Sequence, residues 1–182
     1  VLSVITNKIE KENIKNLKTA LKKRINSNAD IFVIPTIKSL SNPTLKEIVK
    51  SLDGNVLFGK ELLNNQIENF GVGAMQLHNY LTHLKENTLV ITPGDRADLI
   101  LGALQANKSK NYPKISGIIL TGSIIPEKPI LDLIEGLSNI VPIISVEGGT
   151  YKVTNAIGDI KSKIYAENSE KIRTSIVHVW ER

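Results

Sequence analysis

Short apolar runs alternate with amphipathic segments along nearly the whole of this 182-residue chain. The runs are rich in Val and Ile, and the segments between them carry apolar residues at helical spacing. Strands that are apolar throughout must be covered on both faces, and helices that connect parallel strands provide that cover. The alternation therefore predicts an α/β fold with mostly parallel sheets and flanking helices.

The predicted strands are residues 1–6, 30–35, 55–58, 88–92, 115–121 and 142–146. The predicted helices are residues 10–25, 43–52, 76–84, 95–107 and 128–137. One or two further helices are expected after Gly149. They end in segment 169–180, whose β-branched and aromatic residues also allow a strand.

A domain boundary is predicted near residues 59–73. There a polar run at 64–66 and two glycines, Gly71 and Gly73, interrupt the apolar periodicity. This boundary divides the chain into a first domain, 1–69, and a second domain, 70–182.

The composition excludes several classes of site. The chain has no cysteine, so it has no disulfide framework, no thiolate metal site and no cysteine nucleophile. A reducing cytosol suits such a chain. No apolar run is long enough to cross a bilayer and no signal peptide opens the sequence, so a cytoplasmic protein without a membrane partner is expected.

The net charge of +5 is concentrated in the first 60 residues, mainly on the predicted helix at 10–25. Ile14, Leu17, Leu21 and Ile25 recur there at helical spacing, which leaves the lysines on the solvent-facing sides. Nucleic-acid binding through these lysines is the less favoured interpretation, because no aromatic residues lie among them to stack on bases. The plainer interpretation is a solvated helix face.

The candidate site lies where three predicted strands end, because open α/β sheets bind ligands beyond the carboxyl ends of their strands. Each of these strands is followed by a polar loop that contains glycine and leads towards a helix. Backbone N–H groups in such loops are able to face an anion. The candidate ligand-binding residues are Asp95, Arg96, Thr121, Gly122, Ser123, Gly148, Gly149 and Thr150.

Structural roles compete with ligand binding at several of these positions. Asp95, three residues before Asp98, has the pattern of a helix N-cap. Arg96 opposes the helix dipole, so an anionic ligand, a neighbouring carboxylate or a subunit contact is expected beside it. Gly122 is expected in a turn that requires positive φ or close backbone approach. Gly148 and Gly149 are expected either in a turn of the same kind or in a flexible connection.

No catalytic centre or metal site is predicted. The chain lacks the G-x-x-x-x-G-K-[ST] phosphate loop, the H-E-x-x-H zinc motif and the G-x-S-x-G nucleophile elbow. No nucleophile, base and orienting group come together in the sequence.

Four runs in order along the chain, at residues 72–75, 89–96, 117–122 and 141–146, resemble the DRTGG domain. The name records an Asp-Arg pair and a downstream Thr-Gly-Gly. This chain has Asp95-Arg96 and Thr121-Gly122, with Ser123 in place of the final Gly. The resemblance implies the regulatory front half of a bacterial phosphate acetyltransferase, and a module that regulates or forms oligomers.

The first part of the chain resembles the closing portion of a dethiobiotin-synthetase-like P-loop domain, so a partial P-loop-like α/β unit is expected before the DRTGG α/β domain. The matching residues are the run 1–7, the strand 31–35 and the run 41–44 before a helix. The resemblance implies that Asn7 contacts a nucleotide base and that Pro35 lies close to the same pocket. A turn or helix-start role for Asn7 is an equal alternative. The phosphate loop itself would precede Val1, so this chain alone is not expected to hydrolyse ATP.

The leading hypothesis is a non-catalytic regulatory or accessory module that senses a small anionic ligand, with an adenine nucleotide as a candidate, or that forms a homo-oligomer. The alternative is a fragment of an active phosphate acetyltransferase or ATP-dependent ligase whose catalytic segments lie outside this chain.

Overall fold

The structure is a computed structural model and describes residues 3–25, 29–160, 162–166 and 168–180. The strands are β1 (Ser3–Ile9), β2 (Asp30–Pro35), β3 (Asn55–Phe58), β4 (Asn69–Val72), β5 (Thr88–Pro93), β6 (Ile115–Thr121) and β7 (Ile143–Ser145). The helices are α1 (Ile14–Arg24), α2 (Lys38–Ser41), α3 (Leu45–Leu52), α4 (Leu77–His83), α5 (Ala97–Lys108), α6 (Lys128–Glu135), α7 (Thr150–Gly158) and α8 (Ser169–Trp180). The α/β class with mostly parallel pairing is as predicted.

The chain divides into two compact units. The smaller unit joins Val1–Ser41 to Ile164–Arg182, and the larger unit is Asn42–Lys163. The predicted boundary near 59–73 therefore falls inside the larger unit. The reason is that β3, which precedes this segment, and β4, which lies within it, belong to the same sheet.

The smaller unit is built on the parallel pair of β1 and β2. Helix α1 packs on β2 through a half-buried apolar stripe, and its lysines are mostly exposed, as the helical spacing predicted. Segment 169–180 is the helix α8, not the alternative strand, and it contacts α2. Residues 1 and 2 of the first predicted strand lie outside the described residues.

The larger unit holds a five-stranded sheet in the order β3-β7-β6-β5-β4, in which β3 is antiparallel to β7 and the other pairs are parallel. Strand β6 is buried along its whole length, and β5 is buried except at Pro93. Their unbroken apolar runs thus occupy the centre of a sheet that is covered on both faces.

Helices cover each face of this sheet and form two apolar cores. Helices α4, α5 and α6 pack on one face, where Tyr80, Leu99 and Ile134 join side chains of the central strands. Helices α3 and α7 pack on the other face through Leu45 and Val153. Burying each large aliphatic side chain stabilises the unit by about 1.5–3 kcal/mol, so the two cores hold the strand ends in place.

Helix α3 begins with a capping box, in which the Thr44 hydroxyl accepts from the Glu47 N–H and the Glu47 carboxylate accepts from the Thr44 N–H. The same carboxylate accepts a hydrogen bond of 2.8 Å from the Ser162 hydroxyl. This contact ties the last residues of the larger unit to its first helix.

Strand β4 was not predicted. Its four residues include a glycine, and only Phe70 and Val72 have strong β propensity. Its pairing with β5, from Asn69 opposite Thr88 to Val72 opposite Ile91, makes this segment a strand. Tertiary pairing has therefore overridden a weak local signal.

Candidate functional site

The loops that follow β6 and β7 are joined at the carboxyl edge of the larger sheet. The Gly122 N–H donates to the Gly148 carbonyl at 3.0 Å, and the Ser123 N–H donates to the Val146 carbonyl at 2.9 Å. These bonds bring together the two loops that the sequence predicted at one edge.

The loop after β5 contacts the loop after β6 through Gly94. A Cβ atom at this position would lie only 1.7 Å from the carbonyl oxygen of Ile124. No side chain fits in that space, so glycine is required for the contact. Neither residue was singled out from the sequence, because the contact joins two loops that are distant along the chain.

Arg96 has internal partners. Its Nε donates to Asp98 Oδ1 at 2.9 Å, and its Nη2 donates to Asp98 Oδ2 at 2.8 Å. The same Nη2 donates to the Met75 carbonyl at 2.9 Å. Of the three explanations for a cation at this helix start, the neighbouring carboxylate is the one present in the structure.

This pairing shifts both ionisation equilibria. The hydrogen bond from Arg96 is the largest cause that lowers the pKa of Asp98, and the same bond is the largest cause that raises the pKa of Arg96. Both side chains are partly exposed, at 31% for Arg96 and 48% for Asp98, so water and salt weaken the attraction. The pair locks the loop before α4 to the start of α5 and leaves no net charge on Arg96 and Asp98 together.

The interpretation of Asp95 as the N-cap of α5 was wrong. The helix starts one residue later, with Arg96 at the N-cap position and no side-chain cap. A turn in which the Arg96 N–H donates to the Pro93 carbonyl delays the start of the helix. Asp95 is exposed, and its carboxylate accepts no hydrogen bond from the residues that the structure describes.

Thr121, Gly122 and Ser123 form a tight turn at the end of β6. Gly122 has φ of +80°, which confirms the predicted need for positive φ, and Ser123 has φ of +55°. An L-residue in this left-handed region is strained by about 1–2 kcal/mol, so Ser123 occupies a position that favours glycine. The buried hydroxyl of Thr121 lies 2.9 Å from that of Thr150 and links this turn to the start of α7.

The glycines before α7 do not have positive φ. Gly149 is the N-cap residue of α7, with φ of −66° and no side-chain cap, and no atom lies within 4 Å of the position of an added Cβ. A Cβ on Gly148 would lie 3.1 Å from Val153 Cγ2, so Gly148 allows close packing. Helix α7 therefore begins at an open surface. Gly149 has no side chain that could accept hydrogen bonds from the first-turn N–H groups.

Asn7 and Pro35 belong to the smaller unit, near the carboxyl ends of β1 and β2. Asn7 lies within β1, where its Oδ1 accepts a hydrogen bond from the Lys8 N–H at 2.8 Å. Lys8 has φ of +59°, and the strand pairing shifts register between Thr6 and Ile9. Asn7 thus has a local turn-forming role, and Pro35 is buried.

Within the described ranges, no three His, Asp or Glu side chains are grouped so that they could hold a metal ion. Among the helices of those ranges, none combines the length and hydropathy that are required to cross a membrane.

Comparison with known families shows to which family this chain belongs. The DRTGG domain matches residues 47–160, which is more than half of the chain and lies entirely within the larger unit. The chain belongs to the DRTGG domain family. Its Asp-Arg pair and its Thr-Gly pair are the loop residues placed above at the carboxyl edge of the sheet.

The DRTGG chain is similar to several phosphate acetyltransferases. It is 37% identical over 178 residues to the enzyme of Synechocystis sp., which covers 97% of this chain and 26% of the relative. It is 37% identical over 147 residues to that of Nitratidesulfovibrio vulgaris, covering 80% of this chain and 21% of the relative. The Pseudomonas putida enzyme is 29% identical over 178 residues, covering 94% and 25%. The DRTGG chain thus spans about a quarter of the length of these relatives.

Among solved structures, the DRTGG chain is similar to the CBS and DRTGG domains of the regulatory region of Clostridium perfringens pyrophosphatase, complexed with its activator diadenosine tetraphosphate. The TM-score is 0.48 and the sequence identity is 16%, over 97% of this chain and 87% of the other.

Proposed function

We propose that this chain is a regulatory module of a phosphate acetyltransferase-like protein, and that it binds a small anionic ligand at the carboxyl edge of its larger sheet. Membership of the DRTGG family and similarity to phosphate acetyltransferases support the regulatory role. The acetyl-transfer chemistry belongs in this proposal to parts of the parent protein other than these 182 residues. The module acts in the cytoplasm and self-associates.

The open start of α7 is the observation that carries the ligand proposal. Unpaired N–H groups and the helix dipole together attract an anion, and the missing Cβ of Gly149 lets the anion approach the backbone. The Thr150 hydroxyl, held by Thr121, adds a polar group at the same helix start. Arg96 contributes by position and not by free charge, because Asp98 already neutralises it.

A phosphate group is the anion that best suits a helix N-terminus of this kind. An adenine nucleotide is the specific candidate, with the remaining loop residues, Asp95, Gly122, Ser123 and Gly148, around it. In the smaller unit, the dethiobiotin-synthetase-like origin and a base contact by Asn7 near Pro35 remain proposals. The parallel pairing of β1 and β2 supports them, since it places both residues near the same edge.

Calorimetric titration of the 182-residue chain with inorganic phosphate, ATP and acetyl-CoA tests the ligand proposal. We expect heat with at least one of them, and loss of that heat in Gly149→Asp. The introduced carboxylate would cap α7, stabilising it by roughly 0.5 kcal/mol, and would repel the anion. Binding therefore falls while stability rises, which separates a lost site from a misfolded chain.

The matched control is Gly158→Asp, at the opposite end of the same helix. Gly158 also has no atom within 4 Å of an added Cβ, so it accepts the same substitution without a clash. We expect this variant to keep the ligand heat. Equal loss in both variants, or no heat with any of the three probes, would contradict the proposal.

A further inference from the structure

Strand β4 is an edge strand of the larger sheet, and none of the strands that the structure describes pairs with its outer side. Phe70 and Val72 are 46% and 38% exposed, on the sheet face that also carries Leu89 and Ile91. Exposed apolar strand edges attract other strands, and proteins usually protect them with charges, proline or a covering segment. Neither charge nor proline occurs among the four residues of β4.

The backbone of this edge is available for pairing. The Gly73 N–H donates to the Ile91 carbonyl at 2.7 Å, and the Asn69 N–H points to the Asn87 carbonyl at 3.4 Å. Because peptide groups alternate in direction along a strand, those of Phe70 and Val72 point away from β5. In the described part of the chain, only the Val72 carbonyl of this outward set has a backbone partner, the Ala74 N–H at 3.0 Å.

An open groove of about 310 Å³ lies at the same edge, and its lining includes all four residues of β4 together with Met75 and Lys85. Tyr80 lines it, but the hydroxyl is buried against Gly71 and lacks a hydrogen-bond partner among the described residues. Burial raises the pKa of Tyr80 to about 12, so this hydroxyl stays protonated.

We infer that β4 pairs antiparallel with β4 of a second copy of this chain, with Gly71 opposite its own counterpart. In this register Phe70 of each copy lies opposite Val72 of the other. The outward N–H and C=O groups of both residues then form inter-chain bonds. The Val72 carbonyl, which already accepts from the Ala74 N–H, accepts its inter-chain bond through its second lone pair. The inference rests on the self-association included in the proposed function and identifies the surface that mediates it.

The side chains of this register are self-complementary. Each exposed Phe70 packs beside a Val72 on the same sheet face, and aromatic–β-branched pairs of this kind stabilise antiparallel strands. Gly71 falls at the non-hydrogen-bonded position, where opposing Cα atoms approach to about 4.5 Å. A residue without a side chain suits that close approach. A two-fold axis through one patch is also the commonest form of dimer.

Cysteine cross-linking tests this register, and the natural chain has no cysteine to interfere. Phe70→Cys and Val72→Cys variants of the 182-residue chain are oxidised separately and as an equimolar mixture. Directly opposite residues have Cα atoms about 5.5 Å apart, within the range that a disulfide spans, whereas like residues lie on the longer diagonal. We expect cross-linking in the mixture to be about tenfold faster than in either chain alone.

Sedimentation of cysteine-free chains provides the second measurement. We expect a concentration-dependent dimer that Phe70→Lys weakens at least about tenfold, because a lysine on the edge opposes strand addition. Asn55→Lys is the matched control: it places the same charge on the exposed first residue of β3, at the other edge of the sheet, and should leave the dimer unchanged.

The outcomes separate this surface from the rest of the proposed function. A dimer that Phe70→Lys does not weaken, or that cross-links no faster in the mixture, overturns the β4 surface but leaves self-association intact. A wild-type chain that stays monomeric overturns both. If a small molecule binds in the groove and no dimer forms, both are likewise overturned. The anion site is judged independently by the Gly149→Asp titration.

Discussion

The two loops that give this family its name play different parts in the molecule. The cation of the Asp-Arg loop, residues 93–98, has internal partners, because Arg96 is bonded to Asp98 and to the Met75 carbonyl. The Thr-Gly loop, residues 121–124, uses its polar groups to position the start of α7, through the Gly122 N–H and the Thr121 hydroxyl. The first loop fastens neighbouring segments, whereas the second supports a helix start that is open to solvent.

This difference changes where a ligand is sought. The Asp-Arg loop carries more charge than the Thr-Gly loop, yet its cation is already paired. The Thr-Gly loop lies beside first-turn N–H groups of α7 that have no backbone partner among the described residues, and Gly149 there has open space around it. We therefore propose the anion site at the available hydrogen-bond donors and not at the loop with the larger formal charge.

The contact between the two loops should be the most sensitive point. We expect Gly94→Ala to lower the free energy of unfolding by about 3 kcal/mol, because the added Cβ meets the Ile124 carbonyl and both loops must shift. Urea denaturation measures the change. As a control, Gly158→Ala has open space and should change stability by no more than about 1 kcal/mol. A Gly94→Ala chain as stable as wild type would show that the two loops are not in close contact.

A smaller effect is expected inside the Thr-Gly loop. Ser123→Gly should raise the free energy of unfolding by roughly 1 kcal/mol, because glycine adopts φ of +55° without strain. Ser51→Gly, in the exposed part of α3, should instead destabilise by about 0.5–1 kcal/mol. Thermal unfolding of the two variants compares them. Destabilisation by both would mean that Ser123 is not strained.

The smallest effect is expected in the Asp-Arg loop, and it depends on pH. The folded-state pKa of Asp98 is lowered below its ordinary value of 3.8, chiefly by the hydrogen bond from Arg96. The ionised carboxylate therefore stabilises the fold above about pH 4, and that contribution is lost as the pH falls through the lowered pKa. Since both side chains are partly exposed, Asp98→Asn should cost only about 0.5 kcal/mol at pH 7.

Denaturation at pH 7 and pH 3 measures this dependence. Asp98→Asn and Arg96→Gln should each lose less stability on acidification than the wild-type chain does. If both variants lose as much stability as wild type, the pair contributes nothing to the acid sensitivity of the fold.

Local sequence predicted most of the larger unit because its central strands are dense apolar runs. The central strand 115–121 and the edge strand 55–58 of this unit have in the structure the bounds that were predicted for them, and so does strand 30–35 of the smaller unit. Strand β4 was missed because its pairing with β5 defines it more than its own residues do. The boundary was predicted near 59–73 for the same reason. Residues 69–72 were not recognised as a strand, so the segment was interpreted as a connection between domains.

The candidate site was predictable at the level of loops but not of contacts. The convergence of strand ends and the positive φ of Gly122 follow from topology and local turn chemistry. The partners of Arg96 and Gly94 include the backbone carbonyls of Met75 and Ile124, and every residue has a carbonyl. Such partners carry no signal in a single sequence, so the internal role of Arg96 was one of three open alternatives.

The most direct measurement of the anion site is a titration of the ¹⁵N-labelled chain with inorganic phosphate, followed by amide chemical shifts. The proposed site predicts saturable shifts that centre on residues 149–152 and are small at residues 96–99. Shifts that centre on Arg96, or no saturable shift at the start of α7, would contradict it.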